Sequence, residues 1–336
     1  MALEDNHLWV GTQGGLIKLD VQTGDKKIYQ AWNSGLRGTG VREIEIADDG
    51  TKWFGGDNGG LFKYDNSTWE HFYHINTGDI LIEIKDLQLD MNGHPWFISN
   101  INDNCSGCER LISYDGNEFQ NHNDNLIDYI NNGKLSDYEF INEEELWITY
   151  GRTLLKYNGT EVLEVYDEFN SPLLENEYIG QMEIDNQGVL WLTTSRSFIG
   201  INTYRILKFD GSMWTIENNA APGSARDFFQ DDNGTLWFNF YNNITQEQTY
   251  ASYDGTNWSY LLPSDIPGLG DHHNLKIVDP QGNWWTTIPN GIQEPKIYRT
   301  NEVSSTPFDT QIFPLGTNSY DNIVACLLYT SDAADE

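Results

Sequence analysis

Two cysteines lie close together in the segment Asn104-Cys-Ser-Gly-Cys-Glu109, where Cys105 and Cys108 form a Cys-x-x-Cys pair. Such a pair supplies half of a tetrahedral zinc site, but the chain has neither a second pair nor a His-x-x-x-His segment to complete it. A redox role would need a thioredoxin-like βαβ context, which the flanking sequence lacks. We therefore expect a local disulfide, which would indicate an oxidising compartment. Free thiols are the second alternative and metal binding the third, and we expect no cofactor.

Other residue types used in catalysis are present without a recognisable arrangement. The adjacent His272 and His273 lie in an Asp-rich loop and could, with scattered carboxylates, contribute to a lyase or hydrolase site. Neither a Gly-x-Ser-x-Gly segment nor a glycine-rich phosphate loop occurs. We therefore predict that this chain is not an enzyme, and a lyase or hydrolase is the third alternative for its function.

Tryptophan recurs along the chain at intervals of 43 to 51 residues, each time after the same kind of turn. This period is that of one four-stranded blade of a β-propeller. Because the ring occupies the same place in every copy, we expect it to pack between sheets and not to bind a ligand. The seven positions are Trp9, Trp53, Trp96, Trp147, Trp191, Trp237 and Trp285.

Two turn signals accompany these tryptophans. Most copies have a glycine three residues before the ring, and four also have an aspartate six residues before it, as in Asp185 and Gly188. An Asp-x-x-Gly segment between apolar runs predicts a tight hairpin turn. After the ring, an alternating strand such as Ile206-Leu-Lys-Phe-Asp210 leads into an Asp-Gly turn. The sequence therefore predicts an all-β, seven-bladed β-propeller of four-stranded antiparallel blades, with helices rare or absent.

These phrases resemble the two-component regulator propeller repeat, a bacterial family. The segment Leu8-Trp-Val-Gly-Thr-Gln-Gly-Gly-Leu16 nearly reproduces its unit, and Gly234-Thr-Leu-Trp237 and Gly188-Val-Leu-Trp191 fit its centre. Blades 6 and 7 lack the Gly-Thr-x-x-Gly-Leu half of the unit. The resemblance implies an extracytoplasmic sensor module of a hybrid histidine kinase that responds to carbohydrates, or a secreted or surface protein. A kinase beyond the C-terminal residues, and with it a dimer, is an implication of the resemblance alone.

The ends of the chain bear on how such a propeller closes. Trp9 follows the N-terminus so closely that we expect no full first strand before it, whereas Tyr320-Asp-Asn-Ile-Val-Ala325 resembles the innermost strand of later repeats. That C-terminal strand would join blade 1 and remove open sheet edges. The alternative is that it opens an eighth repeat of a longer array. We predict a single propeller domain at residues 3–325, and we predict that 326–336, which resemble translated sequencing-adapter read-through, are a non-native tail.

Acidic residues outnumber basic ones 51 to 19, which gives a net charge of −32. This charge opposes attraction to nucleic acid and to anionic membranes, and its scatter through turns and strands is typical of a solvated surface. No apolar run approaches the roughly 20 residues that span a bilayer, and no signal peptide is visible. We expect neither nucleic-acid binding nor membrane insertion by this chain.

The lengths of the connections predict one elaborated face. The segment between the motif tryptophan and the third strand is extended in blades 3, 5, 6 and 7, and we expect long loops at 99–110, 193–204, 239–249 and 287–295. These connections emerge where each innermost strand starts, around the mouth of the channel where propellers usually bind ligands. The candidate ligand-binding residues are, at strand starts, Arg42, Lys85, Tyr178, Arg226, His272 and His273, and, in loops, Asp57, Asn100, Tyr150, Arg152, Arg196, Tyr241 and Asn290.

Aromatic rings beside amide, carboxylate and guanidinium groups suit sugars, whose C–H faces stack and whose hydroxyls form hydrogen bonds. We therefore predict an extracytoplasmic ligand-recognition propeller, periplasmic, secreted or at the cell surface, that binds a carbohydrate, another small ligand or a protein. The alternative is a structural or adhesion propeller that makes protein contacts within a larger surface protein.

Overall fold

A computed structural model of the chain describes residues 1–37, 40–76, 78–101, 109–129, 134–198, 201–217, 223–231, 233–242, 247–262, 274–278, 282–287, 297–301 and 304–307. Within these ranges, 28 strands form seven four-stranded antiparallel sheets. The same ranges contain one 3-10 turn, His122–Asp124, and no α-helix. The predicted all-β propeller architecture of four-stranded antiparallel blades is confirmed.

The chain divides into two compact units, and blades 1, 2, 3 and 7 lie mainly in the first. This unit comprises Met1–Cys105, Ile112–Gln120 and Ile266–Glu336, and the second comprises Ser106–Leu111 and Asn121–Asp265. Blade 1 contains β1 Ala2–Glu4, β2 His7–Thr12, β3 Gly15–Asp20 and β4 Lys26–Tyr29, and blade 2 contains β5 Val41–Ile46, β6 Lys52–Gly56, β7 Leu61–Tyr64 and β8 Trp69–Phe72. Blade 3 contains β9 Leu81–Leu89, β10 Pro95–Ile101, β11 Glu109–Tyr114 and β12 Phe119–Asn121. Blade 7 contains β25 Asn274–Val278, β26 Trp284–Thr287, β27 Ile297–Asn301 and β28 Ser304–Pro307.

Blades 4, 5 and 6 form the strands of the second unit, and each has its strands side by side in chain order. Blade 4 contains β13 Leu135–Phe140, β14 Leu146–Tyr150, β15 Thr153–Tyr157 and β16 Val162–Tyr166. Blade 5 contains β17 Tyr178–Ile184, β18 Leu190–Phe198, β19 Ile201–Phe209 and β20 Trp214–Glu217. Blade 6 contains β21 Ser224–Gln230, β22 Leu236–Asn242, β23 Glu247–Tyr253 and β24 Trp258–Leu261.

Five of the seven motif tryptophans pack between one sheet and its neighbour within a unit. Trp9 of blade 1 is fully buried in a cluster with Ile44 and Phe54 of blade 2, and Trp191 of blade 5 is buried against Phe228 and Phe238 of blade 6. Comparable positions are taken by Trp53, Trp147 and Trp285. Burial of such large rings is a main source of the hydrophobic stabilisation. The predicted core role is confirmed for these five tryptophans, whereas Trp96 and Trp237 are half-buried.

The aspartate of the Asp-x-x-Gly turn has two structural tasks. One carboxylate oxygen of Asp185 accepts hydrogen bonds from the backbone N–H groups of Gln187 and Val189, both at 2.9 Å, and the other accepts the indole N–H of Trp191 at 2.8 Å. Asp231 and Trp237 repeat the arrangement in blade 6. The Asp-x-x-Gly-x-x-Trp phrase therefore positions a core ring and ends a strand.

Blade 1 has an innermost strand of its own, which corrects one expectation. Residues Ala2–Glu4 form β1 and pair with β2 from Ala2–Trp9 to Glu4–His7. The turn between β1 and β2 is tight, because Asp5 has a φ of 51°. It uses so few residues that the three before it can form the strand. The place assigned to Tyr320–Ala325 is therefore occupied by β1. Those C-terminal residues and the predicted tail lie outside the described residues, and the domain bounds of 3–325 stay a prediction.

Two of the expected long loops are extended strands. In blade 5, β18 and β19 pair without interruption from Leu190–Phe209 to Phe198–Ile201, and in blade 6 β22 and β23 pair from Leu236–Tyr253 to Asn242–Glu247. Because side chains alternate between the two faces of a strand, both hairpins can extend past the ends of the other strands in their blade. The expectation of loops over 193–204 and 239–249 is therefore wrong for most of their length.

Candidate ligand-binding site

Three of the predicted site residues contact one carboxylate in the first unit, and a fourth binds one of those three. Glu83 of β9 binds Arg42 of β5 through an Nη1–Oε1 contact of 2.6 Å, and its second oxygen binds Lys85 Nζ at 2.9 Å and Asn100 Nδ2 at 3.3 Å. The other end of the Arg42 guanidinium contacts Asp57 Oδ1 at 2.7 Å. We call these five residues the Glu83 cluster.

The strand register explains why these side chains meet. Asp57 follows the last residue of β6, and its backbone N–H donates to the carbonyl of Gly40 at 3.0 Å, next to the start of β5. Gly55 of β6 has no side chain, and a Cβ there would come within 2.7 Å of Ile84, which allows β9 to approach. The starts of two innermost strands and the β6–β7 connection thus lie together.

The Glu83 cluster is electrically balanced and accessible. Arg42 and Lys85 offset Asp57 and Glu83, and these four side chains are between 19% and 34% exposed. Ion pairs at this level of exposure contribute little to the free energy of folding. Their arrangement does fix donors and acceptors side by side at the surface, which is what a polar ligand requires.

Glu83 itself was absent from the residues predicted to bind a ligand. A signal for it was present, because Glu83 and Lys85 are two residues apart in the alternating run Leu81-Ile-Glu-Ile-Lys and therefore lie on the same face of the strand. The register that brings Arg42 and Asn100 to it could not be read from the sequence.

The second unit holds a smaller group of predicted residues. Arg152 donates from Nη2 to the hydroxyl of Tyr178 at 3.1 Å, and its guanidinium carbon lies 4.9 Å from the centre of that ring. Tyr150, expected in a loop, ends β14 and is buried, and burial raises its pKa to about 12. Arg196 and Tyr241, also expected in loops, are half-buried residues of β18 and β22. Among these residues, the structure brings Arg152 and Tyr178 into contact.

The remaining predictions cannot be placed. Arg226 belongs to β21, but its side chain is outside the described part of the structure. The histidine pair, the amide of the last loop and the Cys-x-x-Cys pair likewise lie outside the described residues, namely His272, His273, Asn290, Cys105 and Cys108. The disulfide and the roles of these residues stay predictions.

Neither metal ligation nor a membrane span is visible in the part of the chain that the structure covers. Within it, no group of three or more His, Cys, Asp and Glu side chains is arranged to hold a metal ion. Among the same residues, no helix reaches the length and hydrophobicity that a transmembrane span requires.

Comparison with known proteins gives structural but not sequence matches. No protein-family profile and no curated protein matches the chain. An acylaminoacyl peptidase structure is similar with a TM-score of 0.57 at 9% identity, over 91% of this chain and 51% of that one. The polysaccharide lyase Uly1 is similar with a TM-score of 0.51 at 8% identity, over 91% and 88%. At these identities the similarity shows a shared propeller fold.

A third similar structure is the extracellular domain assigned to a one-component system of B. thetaiotaomicron. Its TM-score is 0.43 at 15% identity, and the match covers 91% of this chain. This chain spans 54% of the length of that domain.

Proposed function

We propose that this chain is an extracytoplasmic, seven-bladed propeller that recognises a carbohydrate without converting it. In this proposal it is related to the two-component regulator propellers and serves a sensor or a secreted surface protein. The observation that carries the proposal is the Glu83 cluster. Its five side chains come from two adjacent blades and lie where innermost strands start.

The chemistry of the cluster fits a polyhydroxylated ligand. A sugar hydroxyl both donates and accepts, so that neighbouring hydroxyls can donate to Asp57 and Glu83 and accept from Arg42, Lys85 or Asn100. Because the charges of the cluster cancel, a neutral ligand needs no counter-charge there. The net charge of −32 also disfavours a polyanionic ligand at long range.

The test is calorimetric titration with neutral and acidic oligosaccharides chosen from a glycan array, using the wild type and the variants Arg42→Ala and Asn100→Ala. We expect Arg42→Ala to weaken binding about 10-fold or more, since it removes a charged donor. Lys156→Ala is the matched control, because Lys156 forms surface ion pairs with Glu145 and Glu164 in the second unit.

Three results would contradict parts of the proposal. Failure of every glycan class to bind would overturn carbohydrate recognition. An equal loss in Lys156→Ala and Arg42→Ala would remove the cluster as the site. Appearance of shortened or unsaturated sugar products by mass spectrometry would show that the chain converts its ligand.

A further inference from the structure

The same loop occurs twice, after β4 in blade 1 and after β16 in blade 4. We call Gln30–Leu36 loop A and Asp167–Leu173 loop B. In loop A, Asn33 accepts the backbone N–H of Gln30 at 2.7 Å and donates to Ile28 at 2.9 Å, while Ser34 donates to the carbonyl of Gln30 at 2.7 Å. Loop B repeats each of these bonds with Asn170 and Ser171. The repetition shows that the loop conformation is set by its own side chains.

Each loop holds an aromatic ring out in solvent, but only one ring is fixed. Trp32 of loop A is 80% exposed and Phe169 of loop B is 87% exposed. The indole N–H of Trp32 donates to Gln30 Oε1 at 2.9 Å, and Gln30 Nε2 donates to the carbonyl of Gly14 at 3.3 Å. Phe169 has no polar atom to make such a bond. This hydrogen bond restricts the orientation of the Trp32 ring, which lowers the entropy cost of using it as a stacking surface.

A groove of about 500 Å³ opens beside loop A, between Arg37 and the side chains of Trp69 and His71. Arg37 is exposed and takes part in none of the ion pairs formed by the described residues. The five N–H donors of its guanidinium are thus available to a ligand.

The equivalent place beside loop B is occupied by protein. There, Arg205 donates to the carbonyl of Pro172 at 2.9 Å and is itself held by Glu177 through an Nε–Oε1 bond of 2.8 Å. The strand register gives Gly60 as the residue of blade 2 that matches Arg205. Loop A therefore lacks the side chain that braces loop B.

The groove and the Glu83 cluster lie on either side of one turn. Asp57 begins the β6–β7 connection and belongs to the cluster. Two residues later, Gly59 lies against the carbonyl of Arg37, so closely that a Cβ at Gly59 would come within 2.7 Å of that oxygen, and the carbonyl of Gly59 bonds His71 Nε2 at 2.6 Å. A ligand longer than the cluster can cross this turn to reach the groove.

We propose that Trp32 and Arg37 form an outer subsite for the distal units of a neutral oligosaccharide whose first units occupy the Glu83 cluster. This inference rests on the proposed function. The Trp32 ring stacks against the C–H face of a sugar, and Arg37 donates to its hydroxyls. A neutral chain is the fitting occupant, because one unpaired arginine does not offset the repulsion of an anionic polymer by a chain of net charge −32.

The experiment compares disaccharides with hexasaccharides of the β-1,4-linked neutral series (cello-, xylo- and manno-oligosaccharides) by calorimetry. The variants are Trp32→Ala, Arg37→Gln and the matched control Phe169→Ala, which removes the exposed ring of loop B. We expect Trp32→Ala to weaken hexasaccharide binding about 5- to 10-fold and disaccharide binding less than about 2-fold. Phe169→Ala leaves both unchanged.

Tryptophan fluorescence supplies an independent readout. Of the twelve tryptophans, all of which lie in the described ranges, Trp32 is the only one that is largely exposed to solvent. The part of the acrylamide quenching that is lost in Trp32→Ala therefore reports on Trp32, and we expect bound hexasaccharide, but not disaccharide, to reduce that part.

The outcomes separate this inference from the proposed function. Binding that depends on Arg42 but neither strengthens with chain length nor shields Trp32 would overturn the outer subsite and leave the Glu83 cluster as the site. Equal effects of Trp32→Ala and Phe169→Ala would also overturn it. Absence of binding by any sugar would overturn both proposals.

Discussion

The carboxylate of Asp137 accepts a hydrogen bond from the backbone N–H of Met182, with an Oδ2–N distance of 2.6 Å. Asp137 belongs to β13 of blade 4 and Met182 to β17 of blade 5, and each borders a register shift that interrupts the regular ladder. In the first unit, Glu43 of blade 2 likewise accepts the backbone N–H of Asp86 in blade 3. Carboxylates at these register shifts thus link the innermost strands of adjacent blades through hydrogen bonds.

This joint predicts a stability effect at Asp137. Replacing it with Ala leaves a backbone donor without its acceptor, and we expect the free energy of unfolding to fall by about 1–3 kcal/mol. Asp137→Asn keeps an acceptor oxygen and should cost less. Urea unfolding measures the change, with Ser136→Ala as the control because its side chain is exposed and donates to the carbonyl of the nearby Lys134. Equal stabilities of the two alanine variants would contradict the role of the joint.

Glu43 predicts an unusual dependence of stability on pH. Burial, with a contribution from the charge of Asp86, raises its pKa from 4.5 to about 7. As pH rises from 4.5 to 7, the unfolded state loses the proton before the folded state does, so that the free energy of unfolding falls across this window. Glu43→Gln cannot ionise. We expect it to match the wild type at pH 4.5 and to exceed it by about 2–3 kcal/mol at pH 8.

Urea unfolding of both proteins between pH 4.5 and 8 provides the measurement. Parallel curves with a constant offset would show that the Glu43 carboxyl does not titrate in this range. Glu45→Gln on the same strand serves as a control for adding an amide to β5.

The blade could be predicted because its signals are local. Where the turn has its aspartate, hydrogen bonds within a few residues fix the turn and can hold the tryptophan that follows, as in Asp185 and Trp191. The three-residue strand β1 carries no such signal, and the polar run Ser195-Arg196-Ser197 resembles a loop because the sequence does not show which strand pairs with it. The Glu83 cluster depends on side chains about 40 residues apart, such as Arg42 and Glu83. The lengths of the connections predict a face, whereas the contacts depend on the strand register within blade 3 and on the packing of blade 2 against it.

Arg205 forms an ion pair with the buried Glu177, and we expect its removal to lower the free energy of unfolding strongly. Glu177 is 1% exposed, and its carboxylate receives Arg205, the Thr194 hydroxyl at 2.6 Å and the Leu174 N–H at 2.8 Å. Burial acts to raise the pKa of Glu177, but these bonds together hold it below its ordinary value. Arg205→Ala leaves that charge buried without its counter-ion, and we expect a loss of about 3–5 kcal/mol in the free energy of unfolding.

The matched variant for this pair is the double replacement Arg205→Met with Glu177→Gln, which removes both charges and keeps most of the volume. We expect it to be closer in stability to the wild type than Arg205→Ala, because no unpaired charge remains. Thermal unfolding at pH 7 ranks the variants. A double variant less stable than Arg205→Ala would show that the pair itself, and not the orphaned charge, governs stability.

Lys52 ties the short strand β1 to blade 2 and predicts an acid-sensitive contact. Its fully buried ammonium donates to Glu4, to the Gly50 carbonyl at 2.7 Å and to Asn66 Oδ1 at 2.8 Å. Burial acts to raise the pKa of Glu4, but the hydrogen bonds from Lys52 and Trp9 and the charges of Lys52 and Lys18 lower it. The stabilisation is therefore present above the unfolded pKa of about 4.5 and is lost as pH falls through the lower folded value.

We expect Glu4→Gln to cost about 1–3 kcal/mol at pH 7 and less at pH 3. Urea unfolding at both pH values tests this prediction. Glu70→Gln is the control, because Glu70 forms an exposed ion pair with Lys63 and we expect its replacement to change stability little at either pH. A cost of Glu4→Gln that does not shrink in acid would contradict the ionic character of the contact.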